Sequence, residues 1–295
     1  MIKNTCYLAL LALACILPNA NSVEADVVIN EWNAVRGDRF LDGGDGSDSF
    51  FGTVEGNGGN WLELVVVGGG FGTTVDMRGW QLQWGEDEDE NGSYSATELG
   101  VINFTNNSFW SSVESGTIIT IIETSDGAGS GFDTSTNTSY DDPTTGDYHV
   151  NISTLEESLE ADPLLIADSG ENVAADDGEF SVGHNDWFGM LLDGTGSTVF
   201  GPVGEGEASY AGDSINSREV GKLEAPVTGS LADWLAITPG SDFDDGGTST
   251  FGSANTWSDG ASIQNFSALR AVPEPGTAGI VLLALAGFSF RRRKN

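Results

Sequence analysis

Apolar residues along this chain gather in short clusters separated by glycine, serine, threonine and aspartate. The first, Val27–Trp32 (VVINEW), opens on β-branched residues but carries Asn30 and Glu31 within it. Trp61–Val67 (WLELVVV) is dense in strand formers and stops at Gly68-Gly69-Gly70. In GWQLQW the large residues Trp80, Leu82 and Trp84 alternate with Gln81 and Gln83, the period of two that marks a strand with one wet face. Gly100–Phe104, Gly116–Glu123 and Trp187–Leu192 continue the series. Asp193-Gly194-Thr195-Gly196 then predicts a hairpin into Ser197–Phe200. Trp234–Ser241 reads as a closing strand with a Pro-Gly turn, and Thr154–Leu165 is the one good short-helix candidate. Many short strands with turn signals and little helix predict an all-β fold, an antiparallel β-sandwich with long acidic loops. Two irregular stretches, near 37–59 and 124–180, read as insertions in a body spanning 26–241. Residues 242–271 read as a linker or stalk.

The ends follow a different pattern. Near the start, Lys3 precedes an apolar run from Tyr7 to Leu17 and then a polar region with small residues. That order of charge, grease and small residues predicts a signal peptide over 1–25, cut after Ser22 or Ala25. A lipoprotein cut at Cys15 competes, but Ile16 and Leu17 carry the apolar run past that cysteine. At the other end Pro273-Glu274-Pro275 precedes an apolar run from Thr277 to Phe290, with Arg291, Arg292, Arg293 and Lys294 behind it. As a helix this run would be roughly 21 Å long, short against the about 30 Å of a bilayer's hydrocarbon core. Cationic flanks stay cytoplasmic, so the leader starts export and the tail halts it, the middle remaining outside. A plain tail anchor is the simpler alternative.

Over 272–295 these three parts resemble, in order, the sorting signal of PEP-CTERM proteins of Gram-negative bacteria. The resemblance implies that Val272, Pro273, Glu274 and Pro275 form the motif seen by a membrane-embedded processing enzyme, an exosortase, and that Arg291, Arg292, Arg293 and Lys294 fix orientation. It also implies export machinery as a partner. An inner-membrane-anchored precursor, and association with exopolysaccharide and biofilm, follow from it as well.

Composition narrows what the body can do. Both cysteines, Cys6 and Cys15, lie in the leader, so the body has neither disulfides nor a thiol nucleophile. Of 11 cations only Arg36, Arg39, Arg78, Arg218, Lys222 and Arg270 lie between the ends, together with all but Glu24 and Glu274 of the 45 acids. A nucleic-acid partner needs basic surface to release counterions, and this surface repels phosphate. Glycine, 41 of 295 residues, is about twice its usual ~7% share, which suits turns between short strands.

Within the body a second resemblance appears. Ile29-Asn30-Glu31, Trp61-Leu62-Glu63-Leu64, Val75–Leu82 with its Gly79-Trp80 step, Gly116-Thr117-Ile118-Ile119, Asp193-Gly194 and Thr238-Pro239-Gly240 follow in the order of the lamin-tail domain. That resemblance implies an immunoglobulin-like sandwich over roughly Val27 to Ser241, interrupted by the two insertions.

Candidate chemistry is sparse. Gly43–Phe51 (GGDGSDSFF) holds one copy of a glycine-aspartate repeat that binds Ca²⁺ when stacked in many copies, with Asp45 and Asp48 as hard oxygen ligands. Glu86, Asp87 and Asp89 belong to a carboxylate-rich turn that calcium would relieve, although such runs are commonly solvated. His149 and His184 are the two histidines, and no Gly-x-Ser-x-Gly or His-Glu-x-x-His motif occurs. Trp110, Trp187, Trp234 and Trp257 sit in irregular surroundings, where one or two could stack on sugars, though core packing suits each as well. The expectation is a non-catalytic, exported surface or matrix protein without a nucleic-acid partner. Surface polysaccharide is a candidate partner and calcium a candidate ligand; a carbohydrate-binding adhesion module is the alternative, a secreted hydrolase a more distant one.

Overall fold

The computed structural model describes residues 26–86, 98–139, 148–159, 164–170, 178–184, 186–204, 215–239, 243–257 and 259–270. The leader, Asp87, Asp89 and the whole of 272–295 lie outside them. Strands of four or more residues are, in chain order, β1 Val27–Asn33, β2 Trp61–Val66, β3 Gln81–Glu86 and β4 Leu99–Phe104. There follow β5 Ile118–Ile122, β6 His149–Ser153, β7 Ile166–Gly170 and β8 Trp187–Leu192. The last are β9 Thr198–Val203, β10 Val220–Leu223 and β11 Phe243–Gly246. Two short helices, α1 Thr154–Leu159 and α2 Leu231–Leu235, accompany them. The structure is mostly β-sheet. No helix among the described residues is long and apolar enough to cross a membrane.

One sheet runs β11-β10-β1-β2-β5-β6 and the other β7-β4-β3-β8-β9. Their facing residues form a single core, in which Trp32 of β1 stacks on Trp187 of β8 at 5.7 Å. Two tryptophans lie flat over glycines on neighbouring strands. Trp32 pairs with Gly221 and Trp84 with Gly100, and a Cβ on either glycine would fall 2.1 or 2.2 Å from the indole. The ring fills the space that the absent side chain leaves, as in aromatic rescue of a sheet glycine. The hairpin at Asp193 is present: its carboxylate accepts from the Thr195 and Ser197 amides at 2.8 and 2.9 Å, closing β8 onto β9.

Several readings of the pattern change. Trp234 belongs to α2, not to a strand; the Ser230 hydroxyl caps that helix by accepting from the Asp233 amide at 3.2 Å. Of the helix expected over Thr154–Leu165, α1 takes Thr154–Leu159, while Leu164 and Leu165 are not helical and lead into β7; residues 160–163 lie outside the described residues. The six-stranded sheet is not wholly antiparallel, because β6 pairs parallel to β5 at its edge. Residues 243–257 and 259–270, read from composition as a stalk, are folded onto the body. Phe251, Phe266 and Leu269 are buried, and β11 extends the sheet beside β10. This segment, the strap, lowers its apolar content because it is held by polar contacts.

Candidate functional site

All seven residues of β1 are buried, although Asn30 and Glu31 interrupt its apolar run. One face of the strand meets the other sheet, and the opposite face is covered by the strap. A register shift between Ile29 and Glu31 leaves Asn30 as an extra residue, a bulge of the kind that re-aims neighbouring side chains. Beyond it Glu31 stands opposite Glu63 of β2 on one side and Lys222 of β10 on the other. Glu63 in turn pairs with Thr120 of β5, and Thr120 with Asn151 of β6. A polar row, Lys222–Glu31–Glu63–Thr120–Asn151, therefore crosses five strands on the outer face of the sheet.

The strap docks on one half of this row. Glu31 accepts from the Thr250 amide at 3.2 Å and from its hydroxyl at 2.9 Å, and Glu63 accepts from the Gly252 amide at 2.8 Å. Lys222, fully buried, donates to the Thr248 and Thr256 carbonyls at 3.1 and 3.0 Å and to the Thr248 hydroxyl. Asn255 reaches the Asn30 and Leu223 carbonyls at 3.1 and 3.0 Å, while Gln264 donates to Asn30 Oδ1 at 2.8 Å. Asn30 closes the circuit by donating to Glu63 at 2.5 Å. Buried polar groups are costly unless satisfied, and here each side supplies the partners the other needs.

Burial dominates the electrostatics. Desolvation, reinforced by the nearby Asp48 charge, pushes the Glu31 carboxyl up to about 7. Burial and then the Glu31 charge push Glu63 well above the ordinary carboxylate range. Two like charges on opposed strands cannot both ionise cheaply in a dry site, so the pair retains protons to higher pH than exposed glutamates.

Of the expected calcium ligands, Asp45, Asp48 and Glu86 lie among the described residues, and Asp87 and Asp89 lie outside them. Asp45 is exposed, whereas Asp48 is buried, its Oδ1 accepting from the Phe50 and Phe51 amides at 2.6 and 3.0 Å. Its Oδ2 accepts from the Ser249 hydroxyl, tying the loop at 48 to the strap. Glu86 is bonded to the Ser181 hydroxyl. Among the described residues no three acidic, histidine or cysteine side chains form a group able to hold a metal. Trp110, Trp187 and Trp234 are fully buried, which removes them as sugar platforms. The carboxylates of VVINEW and WLELV were visible in the sequence; a charged residue inside a strand-forming run was the available signal of a covered outer face.

At its far end the strap terminates on packed chain. Leu269 is buried, and Arg270 donates to the Gly116 carbonyl at 2.8 Å with its guanidinium over the Phe266 and Tyr148 rings. A family model described as the PEP-CTERM protein-sorting motif matches the very next residues, 271–294. The match takes in Val272, Pro273, Glu274, Pro275 and the basic cluster Arg291–Lys294. It marks an exported protein that is anchored transiently in the membrane and sorted by an exosortase. No curated protein and no solved structure matches the chain.

Proposed function

We propose that this chain is a non-catalytic, exported protein of the cell surface or extracellular matrix, whose body is a lamin-tail-like, immunoglobulin-type β-sandwich delivered by its C-terminal signal. The observation that carries the reading is the sorting motif at 271–294, set directly behind a folded β body. In support of the sandwich, the Ile-Asn-Glu and Trp-x-Glu-Leu residues of the resemblance, Asn30, Glu31 and Glu63, meet in one buried network. In support of placement outside the cell, the leader-like start and the basic tail give opposite ends with complementary roles in export. The strong acidity, net charge −34 over the chain, favours solubility and cation-bridged association in a polysaccharide matrix.

Intact-mass analysis of surface-shed protein from the native host, with and without the processing enzyme, tests this. The expected product lacks the leader and the apolar tail, and loss of the enzyme leaves the tail attached in the membrane fraction. Full-length protein in the cytosol with both ends intact would overturn the proposal.

A further inference from the structure

Beyond the strap, the Asn151 end of the polar row borders a cavity of about 380 Å³. Three segments that the sequence pattern reads as irregular converge there: the 37–59 insertion supplies Phe50, the 124–180 insertion supplies Asp133 and Asn137, and the strap supplies Phe251. His149 and Asn151 of β6 form its floor.

The apolar wall is built of packed rings. Phe50 is 37% exposed, yet its ring packs on Phe251 at 5.2 Å and on Phe132 at 5.4 Å. Phe251 is held from behind, since the amide after it is bonded to Glu63 and Asp48 anchors the loop that carries Phe50. Across from these rings the polar wall has capacity to spare. Asp133 Oδ1 accepts from the Ser135 amide and hydroxyl at 3.1 and 2.6 Å, whereas Oδ2 has no partner among the described residues. Those bonds hold the Asp133 carboxyl below its ordinary range, so it is ionised at neutral pH. Asn137 uses its Oδ1 for the Ser139 amide at 3.0 Å, and its Nδ2 has no partner among the described residues. His149 is oriented by a 2.9 Å bond between Nε2 and the Thr120 hydroxyl.

We infer that this cavity binds a neutral sugar unit of a polysaccharide, one face lying on Phe50 and its hydroxyls meeting Asp133 and Asn137. Its size falls at the small end of preformed ligand sites. A carboxylate acceptor and an amide donor in one lining match vicinal hydroxyls, each both donor and acceptor, and a partly exposed aromatic ring suits the apolar C–H side of a pyranose. The carboxylate and the acidic surroundings disfavour uronic acids, phosphates and nucleotides. Among the described residues the lining offers no ligand set for a metal, Asp133 being its one acidic side chain there. The inference goes beyond the sorting reading and fails independently of it, since binding is measured on purified protein without any processing step.

The test uses the full chain in a zwitterionic detergent without sugar headgroups. Neutral gluco-, manno- and galacto-oligosaccharides are titrated by calorimetry and saturation-transfer NMR, with uronic-acid oligomers alongside. At least one neutral series is expected to bind, with Phe50→Ala and Asn137→Ala each weakening it by about tenfold. Asn137 is exposed, its backbone bonds to Asn151 survive the substitution, and its side chain gives up only the Ser139 amide, so a melting temperature within a degree or two of wild type, measured alongside, separates the pocket from folding. Binding by no neutral oligosaccharide, binding unaltered in Asn137→Ala, or tighter binding of uronic oligomers would each overturn the assignment.

Discussion

Glu31 and Glu63 face each other across neighbouring antiparallel strands, both fully buried, and both hold the same strap through its Thr250 and Gly252 amides. Like charges directly opposite one another in a sheet are destabilising. The chain tolerates the pair because protons, hydrogen-bond donors and the buried Lys222 ammonium together offset the repulsion.

The first consequence is a pH dependence. Burial, and then the Asp48 charge, raise the Glu31 carboxyl from its ordinary 4.5 to about 7 in the folded protein. Between those limits the native state binds more protons than the unfolded chain, so stability falls as pH rises, fully present below 4.5 and lost through about 7. The slope is about 1.4 kcal/mol per pH unit for one proton. Urea denaturation between these limits should show it, and Glu31→Gln should flatten it. An equal slope in the variant would assign the effect to general surface charge instead.

Lys222 has no exposed surface and three bonds into the strap. Lys222→Met leaves two buried carbonyls and the carboxylate row without their cation, at a cost of about 3 kcal/mol. Hydrogen exchange should then quicken first at 248–256, ahead of β2 and β5. Uniform loss of protection across both sheets would contradict the strap's dependence on this residue.

Asp48 is bonded to two amides of its own loop and to Ser249. Asp48→Ala should therefore lower stability by about 2 kcal/mol, equally in excess calcium and in chelator. A deficit that appears only when calcium is present would restore the aspartate as a metal ligand.

Gly221 lies beneath Trp32, with no room for a methyl group. Gly221→Ala should displace the indole, redshift tryptophan emission and cost roughly 1–3 kcal/mol by overpacking. Wild-type emission and stability would show that the ring has another resting place.

Much of the β-sheet body was legible in the sequence, for physical reasons that differ by strand. The alternation of Trp80, Leu82 and Trp84 gave β3, and β-branched density gave β1, β2 and β5. β6, β7, β10 and β11 escaped, because HVNIS, IADSG, VGKL and FDDG are short and hold at most two apolar residues each. The carboxylate network was written in Glu31 and Glu63, but its partners Thr250, Asn255 and Gln264 lie some two hundred positions further on, in a segment whose composition resembled a tether. Local pattern carries no information about which distant polar residues will satisfy one another. The cavity was hidden for the same reason: Phe50, Asn137 and Phe251 come from three separate irregular stretches.

Leu269 is sealed in the core and Arg270 is pinned to Gly116, while the sorting match starts at residue 271. In sequence, no residue separates the last packed residue from the start of the match. An enzyme that needs extended chain ahead of its motif would have to draw it from these packed residues, and loosening of Phe266–Arg270 would supply it. Tight docking of the final residues and easy severing of the tag pull in opposite directions on the same few links of chain.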